Sequence, residues 1–499
     1  MRVTALFIKQ YKVLENFNIN FRKDVSILIG INGSGKSTIL ESIAQIFSDA
    51  FLRERSKFGF VLEYELRLEE ILDQGLSIAE FKTDYIKVQI SADNINEPLL
   101  FKVFYMDVVL EKISEIEHQF GTFDRILPSN IVIYYSGLAD IMKQICQPHD
   151  ENLSISFRRG NTNIHRPFFY FEPELFEIIL LTLLSYEFGD IPQFLNERAK
   201  IQGLVSVQIS LKKPTWGKGK IENWWGALGE VKIFLDYLAS ISNPLILGDD
   251  ASNAKGNGKV IIEVVQNDAI IISIIDQSKL FEIRDHFVEE KTFFKILNTL
   301  IIDGFSPEIK FSLVQASEGQ HRIFNVLSEG EQQAIIIRGL VELVNNENTL
   351  FLFDEPDTYL HPSWQRNFIE NINQLANAND INTSQFLITT HSPQLLSNAD
   401  PSKNDVQIME DGEIVQVTPK YYGRDISTIL YEMMGVERRN KKVAKALSVL
   451  FNLIESEDIE ESTQEYRKLV EVLGEDDPAI IRAKTQIDYL QEEKDEADN

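Results

Sequence analysis

The segment that most constrains the fold is VSILIGINGSGKSTILESIAQIF, at residues 25–47. Its first five residues form an apolar run typical of a buried strand, and its second half has apolar side chains at helical spacing. Gly30, Gly33 and Gly35 lie between the two parts, where they allow the backbone to turn tightly. The sequence therefore predicts a strand, a glycine-rich loop and a helix in direct succession, as in an α/β fold.

The loop between Gly30 and Ser37 also satisfies the pattern G-x-x-x-x-G-K-S. In this pattern, backbone N–H groups and the helix N-terminus hold the phosphates of a nucleotide, the lysine reaches the β- and γ-phosphates, and the hydroxyl binds Mg²⁺. We therefore predict a nucleotide site in which Lys36 and Ser37 have these two roles. The structural alternative is a glycine-rich turn that matches by accident. The predicted nucleotide-binding residues of the loop are Gly30, Asn32, Gly33, Ser34, Gly35, Lys36, Ser37 and Thr38.

A second motif, NTLFLFDEPDTYLHP, occupies residues 348–362. Its apolar part predicts a buried parallel strand, and Asp354 and Glu355 follow at the carboxyl end, where open α/β sheets bind their ligands. Asp354 is predicted to support the coordination of Mg²⁺, and Glu355 to polarise a water molecule for attack on the γ-phosphate. The alternative is an acidic strand end that caps the next helix, which Asp357 can also do.

His391 follows another predicted buried strand, residues 386–390. A single histidine is more often structural than functional. Its place at a strand end, soon after the acidic strand, nevertheless suits a sensor of the γ-phosphate. We therefore predict that His391 is a catalytic residue together with Glu355.

The segment LSEGEQQ, residues 327–333, precedes a further predicted helix. A helix N-terminus with a hydroxyl and a glycine, here Ser328 and Gly330, can bind an anion. Because the phosphate loop already cradles one face of the nucleotide, we expect this second N-terminus to face a nucleotide held by another copy of the chain. Ser328 and Glu331 also satisfy the capping-box pattern, and a capped helix can still present its N-terminus to phosphate.

In their order along the chain, GINGSGKST, LSEGEQQ, LFLFDEPDTYLHP and TTHSP resemble the head of an ABC-type ATPase. That family has a phosphate loop, a signature motif, an acidic strand and a switch histidine in this order. The resemblance implies two heads that close on two ATP molecules, with Ser328 and Gly330 touching the γ-phosphate bound by the neighbouring protomer. LSEGE differs from the transporter-like LSGGQ and is similar to the soluble branch of RecF-like and OLD-type ATPases. The Q-loop residue stays open between Gln144 and Ser136 or Gly137.

Composition and patterning exclude several classes of protein. A net charge of -27 argues against a protein that coats DNA generally, because phosphate binding relies on Lys and Arg. The single cysteine, Cys146, excludes a disulfide framework and suits the reducing cytosol. No segment approaches the roughly 20 apolar residues of a membrane span. We therefore predict a cytoplasmic protein that does not interact with a membrane.

Two further absences bear on function. The chain has no run of heptads, which argues against the long coiled-coil arms of an SMC-type protein. After His391 there is no spaced acidic set of the toprim type, and the seven histidines form no HNH-like cluster. We therefore predict that this chain has no nuclease centre of its own.

Two basic stretches stand out in this acidic chain: RRGNTNIHR at residues 158–166 and KKPTWGKGK at residues 212–220. The second places Trp216 among lysines, and Trp224 and Trp225 follow it. Cationic and aromatic side chains together suit contact with nucleic acid. The alternative is an ordinary solvated loop with a tryptophan packed beneath it.

The C-terminal region predicts about three helices, with a helix–turn–helix joint at LGEDDPAI. Together with the preceding YGRDISTILYEMMGV, it resembles a narrower group, the PtuA ATPase components of Septu and retron-associated antiphage systems. That resemblance implies a partner chain with an HNH nuclease, of PtuB type, and homo-oligomers built from head-to-head dimers. It also implies that ATP regulates the nuclease.

The predicted fold is an α/β, ABC-ATPase-like head of two sheets with helices, split across both ends of the chain. A mainly helical insertion separates the two parts, and a helical appendage follows. The predicted divisions are residues 1–150 for the N-terminal part of the head with the phosphate loop, 151–300 for the insertion, 301–420 for the C-terminal part with the signature, Walker B strand and switch histidine, and 421–499 for the appendage.

The expected function is that of an ATP-binding and hydrolysing subunit of a bacterial antiphage defence complex, in which head dimerisation regulates a partner nuclease. One alternative is a RecF-like DNA-repair ATPase whose basic loops bind DNA. Another is an ATPase sensor that sequesters a toxin effector. In the first two interpretations, nucleic acid would be contacted through the partner or through the basic loops.

Overall fold

The computed structural model describes residues 1–67, 85–105, 107–137, 140–162, 165–242, 245–247, 259–265, 268–317, 320–324, 327–345, 348–377, 384–434 and 439–497. Residues 163 and 164 of the first basic stretch, and 435 and 436 of the segment before the C-terminal helices, lie outside this description. The chain divides into two units, Met1–Gly423 and Arg424–Asn499. No helix of the described residues is both long enough and apolar enough to cross a membrane.

The first unit contains three sheets and the helices packed on them. Its strands are β1 (Arg2–Tyr11), β2 (Leu14–Asn20), β3 (Val25–Ile29), β4 (Phe60–Arg67), β5 (Tyr85–Ala92), β6 (Leu100–Tyr105), β7 (Val108–Leu110), β8 (Asn130–Tyr135), β9 (Phe168–Tyr170), β10 (Ile201–Lys212), β11 (Leu245–Leu247), β12 (Val260–Val265), β13 (Ala269–Ile275), β14 (Glu308–Ser317), β15 (Gln320–Phe324), β16 (Thr349–Asp354), β17 (Gln385–Thr390), β18 (Asn404–Glu410) and β19 (Glu413–Ile414). Its helices are α1 (Lys36–Leu52), α2 (Ile113–Phe120), α3 (Ile141–Arg158), α4 (Leu175–Leu183), α5 (Asp190–Ala199), α6 (Gly229–Ile241), α7 (Gln277–His286), α8 (Glu290–Ile302), α9 (Glu329–Val344), α10 (Pro362–Asn377) and α11 (Pro393–Ser397).

The central sheet joins both ends of the first unit, in the order β19-β18-β3-β17-β16-β8-β9. All of its neighbouring strands are parallel except β18 and β19. Strands β3, β16 and β17 are buried along their whole length, which explains why they are continuous apolar runs in the sequence. Because they are parallel neighbours, their carboxyl ends meet at one edge of the sheet, where α/β proteins bind their ligands.

An antiparallel sheet, in the order β2-β1-β4-β5-β6-β7, covers the other side of α1. Ile43 and Phe47 of α1 share one apolar core with Leu62 of this sheet and Leu352 of the central sheet. Helix α1 is buried at most of its positions, so it is fixed between the two sheets. The predicted head of two sheets with helices, split in sequence, is confirmed.

The middle of the chain also contains a third sheet, which the sequence analysis did not predict. Helices α4, α5, α6 and α8 occupy much of this region, as expected for a mainly helical insertion. Strand β10, however, forms a six-stranded sheet in the order β11-β12-β13-β10-β14-β15. Strand β10 alternates between buried and more exposed residues along much of its length, and β12 and β13 pair as an antiparallel hairpin beside it.

The second unit contains α12 (Ile426–Met434), α13 (Lys441–Glu455), α14 (Ile459–Leu473) and α15 (Pro478–Ala497). The last three share a core that includes Leu450, Leu469 and Ile480. Both terminal nitrogens of the Arg439 side chain lie 2.8 Å from the Asp477 carboxylate, which ties the start of α13 to the start of α15. The sequence-predicted joint between α14 and α15 is confirmed.

Candidate nucleotide site

The glycine-rich loop takes its shape from two close approaches to neighbouring backbone and side chains. Gly30 and Gly35 have φ angles of 154° and 107°, and Gly33 has 84°. A Cβ on Gly30 would lie 2.2 Å from the carbonyl oxygen of Met409, and one on Gly35 would lie 2.8 Å from Cε of the same residue. The backbone of β18 therefore leaves room only for glycine at position 30, whereas at position 35 the positive φ favours glycine.

The start of α1 is built to receive an anion. Gly35 is its N-cap residue and has no side chain to satisfy the first N–H groups of the helix, and the first turn has no acidic residue. The hydroxyl of Ser34 is buried and has no hydrogen-bond partner among the described residues. An uncapped helix N-terminus beside an unsatisfied hydroxyl fits the oxygens of a phosphate group.

Lys36 is buried, and its side chain folds back over the loop. Its Nζ donates to the carbonyl oxygens of Gly30 at 2.9 Å and Ile31 at 3.1 Å. Burial lowers the pKa of Lys36, while the nearby carboxylates of Glu355 and Asp354 act in the opposite direction. Two backbone carbonyls of the loop therefore hold the Lys36 ammonium group beside the start of α1.

Asp354, the last residue of β16, faces the first turn of α1. The Ser37 hydroxyl lies 2.9 Å from both oxygens of its carboxylate, and the Thr389 hydroxyl also donates to it. Burial raises the pKa of Asp354, while these two hydrogen bonds act in the opposite direction. A hydroxyl and a carboxylate side by side are the hard oxygen donors that Mg²⁺ requires, so the two residues fit this ion.

Glu355 follows β16 in an unusual backbone conformation. Its φ is 51°, in the left-handed region that non-glycine residues rarely adopt. Its N–H donates to the Thr389 carbonyl at 3.0 Å, which holds the turn. The Oε1 atom of Glu355 lies 3.0 Å from Nδ1 of His391, beyond the end of β17. Residues with disfavoured backbone angles, such as the φ of Glu355, concentrate at functional sites, where the surrounding structure maintains them.

One cleft brings most of the sequence-predicted residues together. Glu355 and His391 form one wall, and the loop and the start of α1 form the other. Val13, at the turn between β1 and β2, also lines this cleft, although the residue is 53% exposed. The sequence analysis missed Val13, because an apolar residue in a hairpin turn has no local signature of binding. The sequence-predicted residues that line the cleft are Asn32, Gly33, Gly35, Lys36, Ser37, Thr38, Glu355 and His391.

Ser328 and Gly330 do not line this cleft in the part of the chain that the structure describes. Ser328 is the N-cap residue of α9 and forms the expected capping box with Glu331. Gly330 is close to the turn after β16, since a Cβ there would lie 3.4 Å from the Tyr359 carbonyl oxygen. The signature segment is therefore separate from the phosphate loop of its own chain.

The three candidates for the Q-loop residue differ in how close they lie to the acidic strand β16. The N–H of Ser136 donates to the Asp354 carbonyl at 3.3 Å, directly beside the acidic strand. Ser136 and Gly137 line a second cleft with Tyr134 and Glu329. Gln144 is exposed on α3 and, among the described residues, lines neither cleft.

The two basic stretches meet at one surface. The guanidinium of Arg158 lies 5.3 Å from the ring centroid of Trp216 and its Nε lies 3.4 Å from Asp303. The Trp216 indole donates to the Asp303 carbonyl at 2.7 Å. Trp224 and Trp225 are buried, so the alternative of tryptophans packed beneath the loop is confirmed for these two.

Comparison with known families places ATPase sequences on both parts of the head. A model described as AAA ATPase domain matches residues 1–165, which include the phosphate loop. A model described as AAA domain, putative AbiEii toxin, Type IV TA system matches residues 227–397, which include Ser328, Asp354 and His391. The chain therefore carries AAA-type ATPase domains.

Three known proteins are similar in sequence to this chain. The Retron Ec83 probable ATPase of Escherichia coli is 23% identical, over 98% of this chain and 87% of that protein. The Retron Vc95 probable ATPase of Vibrio cholerae serotype O1 biovar El Tor is 22% identical, over 95% of this chain and 85% of that protein. The Septu protein PtuA of Bacillus thuringiensis is 25% identical, over 44% of this chain and 59% of that protein.

Solved structures of ATPase heads align over much of the chain. The Smc head bound to the C-winged helix domain of ScpA gives a TM-score of 0.35 at 13% identity, covering 84% of this chain and 98% of that one. The recombination mediator protein RecF of the RecFOR pathway gives a TM-score of 0.31 at 12% identity, covering 83% of this chain and 98% of that one.

Proposed function

We propose that this protein, which carries AAA-type ATPase domains on both parts of a split head, is an ABC-type ATPase subunit of a bacterial antiphage defence complex. ATP closes two heads on each other, and this closure regulates a partner nuclease of HNH type. One observation carries the proposal: the phosphate loop, Glu355 and His391 share a cleft that Ser328 and Gly330 of the same chain do not line. Such a site is complete only when a second copy supplies its signature segment.

Within one head, each residue of the cleft has a separate task. The start of α1 and Lys36 bind the phosphates, and Ser37 and Asp354 hold Mg²⁺. Bound Mg²⁺ supplies neutralisation of the charge on the β- and γ-phosphates. Glu355 orients a water molecule and accepts its proton on the carboxylate. His391 holds that carboxylate in position through its Nδ1 contact and faces the γ-phosphate.

The partner head completes the site through its own α9. The N-terminus of the helix carries the exposed Ser328 hydroxyl, which donates to Glu331 at 2.8 Å within the same chain, and the half-buried backbone N–H of Gly330. Its positive dipole end favours a phosphate across the interface. Head-to-head dimers are the unit of assembly in this proposal, and larger homo-oligomers form from them.

The assignment to defence rests on sequence similarity along nearly the whole chain. The two retron probable ATPases match over 98% and 95% of it, and the Septu protein PtuA matches over 44%. The resemblance of the C-terminal region to the PtuA group supports a nuclease partner and a place in the cytoplasm. The chain itself supplies the ATPase and no nuclease centre in this proposal.

The test is to identify what co-purifies with the tagged protein from its native host, by mass spectrometry of the chains and native mass of the complex. We expect a small chain with HNH-type histidines in fixed stoichiometry with an even number of ATPase chains. A homo-oligomer with no other chain, in cells that carry the complete locus, would contradict the partner-nuclease proposal.

A second candidate function, a RecF-like repair ATPase that binds DNA directly, is favoured by the surface around Arg158 and Trp216. Arg159, Lys218 and Lys220 are exposed there, and none has an acidic partner among the described residues. Unpaired cations beside an aromatic side chain suit a nucleic-acid backbone. Stimulation of ATP hydrolysis by DNA in the absence of any partner chain would support this function, and an unchanged rate would contradict it.

A further inference from the structure

Gln333 lies in the second half of the signature segment, but its side chain is in the interior of the head. Ser328 and Glu329, at the start of α9, are exposed, whereas Gln333 is 3% exposed. A buried amide must satisfy its donors and acceptor within the protein. Its partners therefore show what the first turns of α9 are attached to.

The Gln333 side chain bridges two other elements of the head. The Tyr134 hydroxyl donates to its Oε1 at 2.8 Å, and its Nε2 donates to the Pro356 carbonyl oxygen at 2.6 Å. The orientation of the amide is fixed by chemistry, because a carbonyl oxygen can only accept a hydrogen bond. One side chain thus joins α9, the end of β8 and the turn after β16.

Both ends of this bridge lie beside the residues proposed to act on ATP. Tyr134 is paired in register with Phe353, immediately before Asp354. Pro356 directly follows Glu355, so the carbonyl that Gln333 holds lies one residue beyond the proposed general base. The bridge therefore spans from the signature helix to the backbone that carries the Glu355 carboxylate.

The turn that carries Glu355 is held by three neighbours. The Thr389 carbonyl accepts the Glu355 N–H at 3.0 Å, and the Thr358 hydroxyl donates to the Glu355 carbonyl at 2.9 Å. On the α9 side, Gln333 donates to the carbonyl of the next residue, Pro356. The left-handed φ of 51° is disfavoured for an L residue and persists only where neighbours fix it. A small displacement of α9 changes the restraint from Gln333 and leaves those from Thr389 and Thr358 in place.

We propose that Gln333 is a positioning residue that couples the signature segment to the orientation of Glu355. When Ser328 and Gly330 engage a phosphate across the dimer, the resulting shift of α9 passes through the Gln333 amide to Pro356 and sets the Glu355 carboxylate for catalysis. The coupling rests on the proposed function, because it regulates the same site. It makes hydrolysis, rather than nucleotide binding, dependent on the partner head.

The test compares steady-state kcat and KM for ATP, at protein concentrations that saturate dimer formation, in three variants. Gln333→Leu removes both hydrogen bonds, and Tyr134→Phe removes one. Gln385→Leu is the matched control, because Gln385 is also buried and makes two hydrogen bonds, to Val3, at the end of β17 remote from Thr389. Each rate is normalised to the folded fraction measured by thermal unfolding.

We expect Gln333→Leu to lower kcat about tenfold or more with KM changed less than about twofold, as for an interaction made only in the transition state. Tyr134→Phe should lower kcat by less, and KM should again change less than about twofold. Gln385→Leu should lower the Tm yet keep kcat within about twofold. A merely structural Gln333 would give the same pattern as Gln385, and that result would overturn the coupling.

The outcomes also separate this inference from the proposed function. If the wild-type protein hydrolyses ATP and Gln333→Leu has the same kcat, the coupling is overturned and the proposed function stands. Wild-type protein that binds but does not hydrolyse ATP, with its partner chain present, overturns the proposed function and the coupling together. If Gln333→Leu is too unstable to assay, an unchanged kcat in Tyr134→Phe overturns the coupling.

Discussion

Nδ1 of His391 lies 3.0 Å from Oε1 of Glu355, across the carboxyl ends of two neighbouring parallel strands. Neither side chain is fully buried: His391 is 51% exposed and Glu355 is 27% exposed, and both line the cleft with the phosphate loop. The contact fixes the direction of the carboxylate while leaving it open to solvent. A proposed general base therefore has both a fixed orientation and access to water.

Replacing Glu355 by glutamine keeps the size of the side chain and removes its ability to accept a proton. We expect Glu355→Gln to bind ATP normally and to hydrolyse it about 100-fold or more slowly, the range for loss of a general base. The dimer should persist with ATP bound, measured as native mass after removal of free nucleotide. Glu370→Gln, on an exposed position of α10, is the control and should keep the wild-type rate. Hydrolysis by Glu355→Gln at the normal rate would refute the role of Glu355.

If His391 acts on the reaction through Glu355, their substitutions should not be additive. His391→Ala alone should lower kcat, because the carboxylate loses its partner. In a Glu355→Gln background, the same change should have little further effect, since residues that act as a unit show strong coupling in a double-mutant cycle. Four rate constants complete the cycle. If the two substitutions lower kcat independently, so that the double variant shows the product of the two falls, His391 does not act through Glu355.

The assignment of Mg²⁺ to Ser37 and Asp354 predicts a specific metal dependence. Asp354→Asn should raise the Mg²⁺ concentration needed for half-maximal hydrolysis about ten- to a hundredfold, as for loss of a residue that orients or tunes a metal site. The control is Asp357→Asn, because Asp357 is also buried and accepts a hydrogen bond from Thr390. A titration with Mg²⁺ at saturating ATP measures both. An equal shift in the two variants would show a general structural effect.

Asp49, on α1, predicts a pH dependence of stability away from the site. Burial raises its pKa to about 6, although the Gln45 amide donates to it at 2.7 Å. Because the folded state favours the protonated form, the stability from this group is present below the unfolded pKa of about 4 and is lost as the pH rises to about 6. Asp49→Asn should therefore stabilise the protein relative to wild type above pH 6 and not at pH 4. Thermal unfolding across this range measures the difference, and a pH-independent difference would contradict it.

The site residues that could be predicted from the sequence are those that belong to a motif within one continuous segment. The strand before Gly30, the helix after Ser37 and the acidic end of β16 each follow from a pattern within one segment. The carboxyl-edge rule then brings Glu355 and His391 to the same side of the sheet. No local pattern marks Thr389, which meets Asp354 only because β16 and β17 pair in one particular register.

The missed parts depend on contacts that are distant in sequence. Gln333 and Tyr134 are far apart along the chain, and neither belongs to a pattern that predicts their hydrogen bond. The third sheet could not be predicted for another reason: β10 lies between helical segments, and two register shifts in its first half interrupt the alternation of buried and exposed residues. Arg158 and Trp216 were each singled out, but their stacking could be seen only in the fold.

The most direct measurement of the central claim is complementation between two inactive variants. Lys36→Ala disables a head's own phosphate loop, and Ser328→Arg disables the signature segment that it offers to its partner. In an equal mixture, half of the dimers are mixed and each has one intact composite site, so about a quarter of the wild-type ATPase rate should return in a symmetric dimer. A rate no higher than the mean of the two variants alone would contradict a site shared between heads.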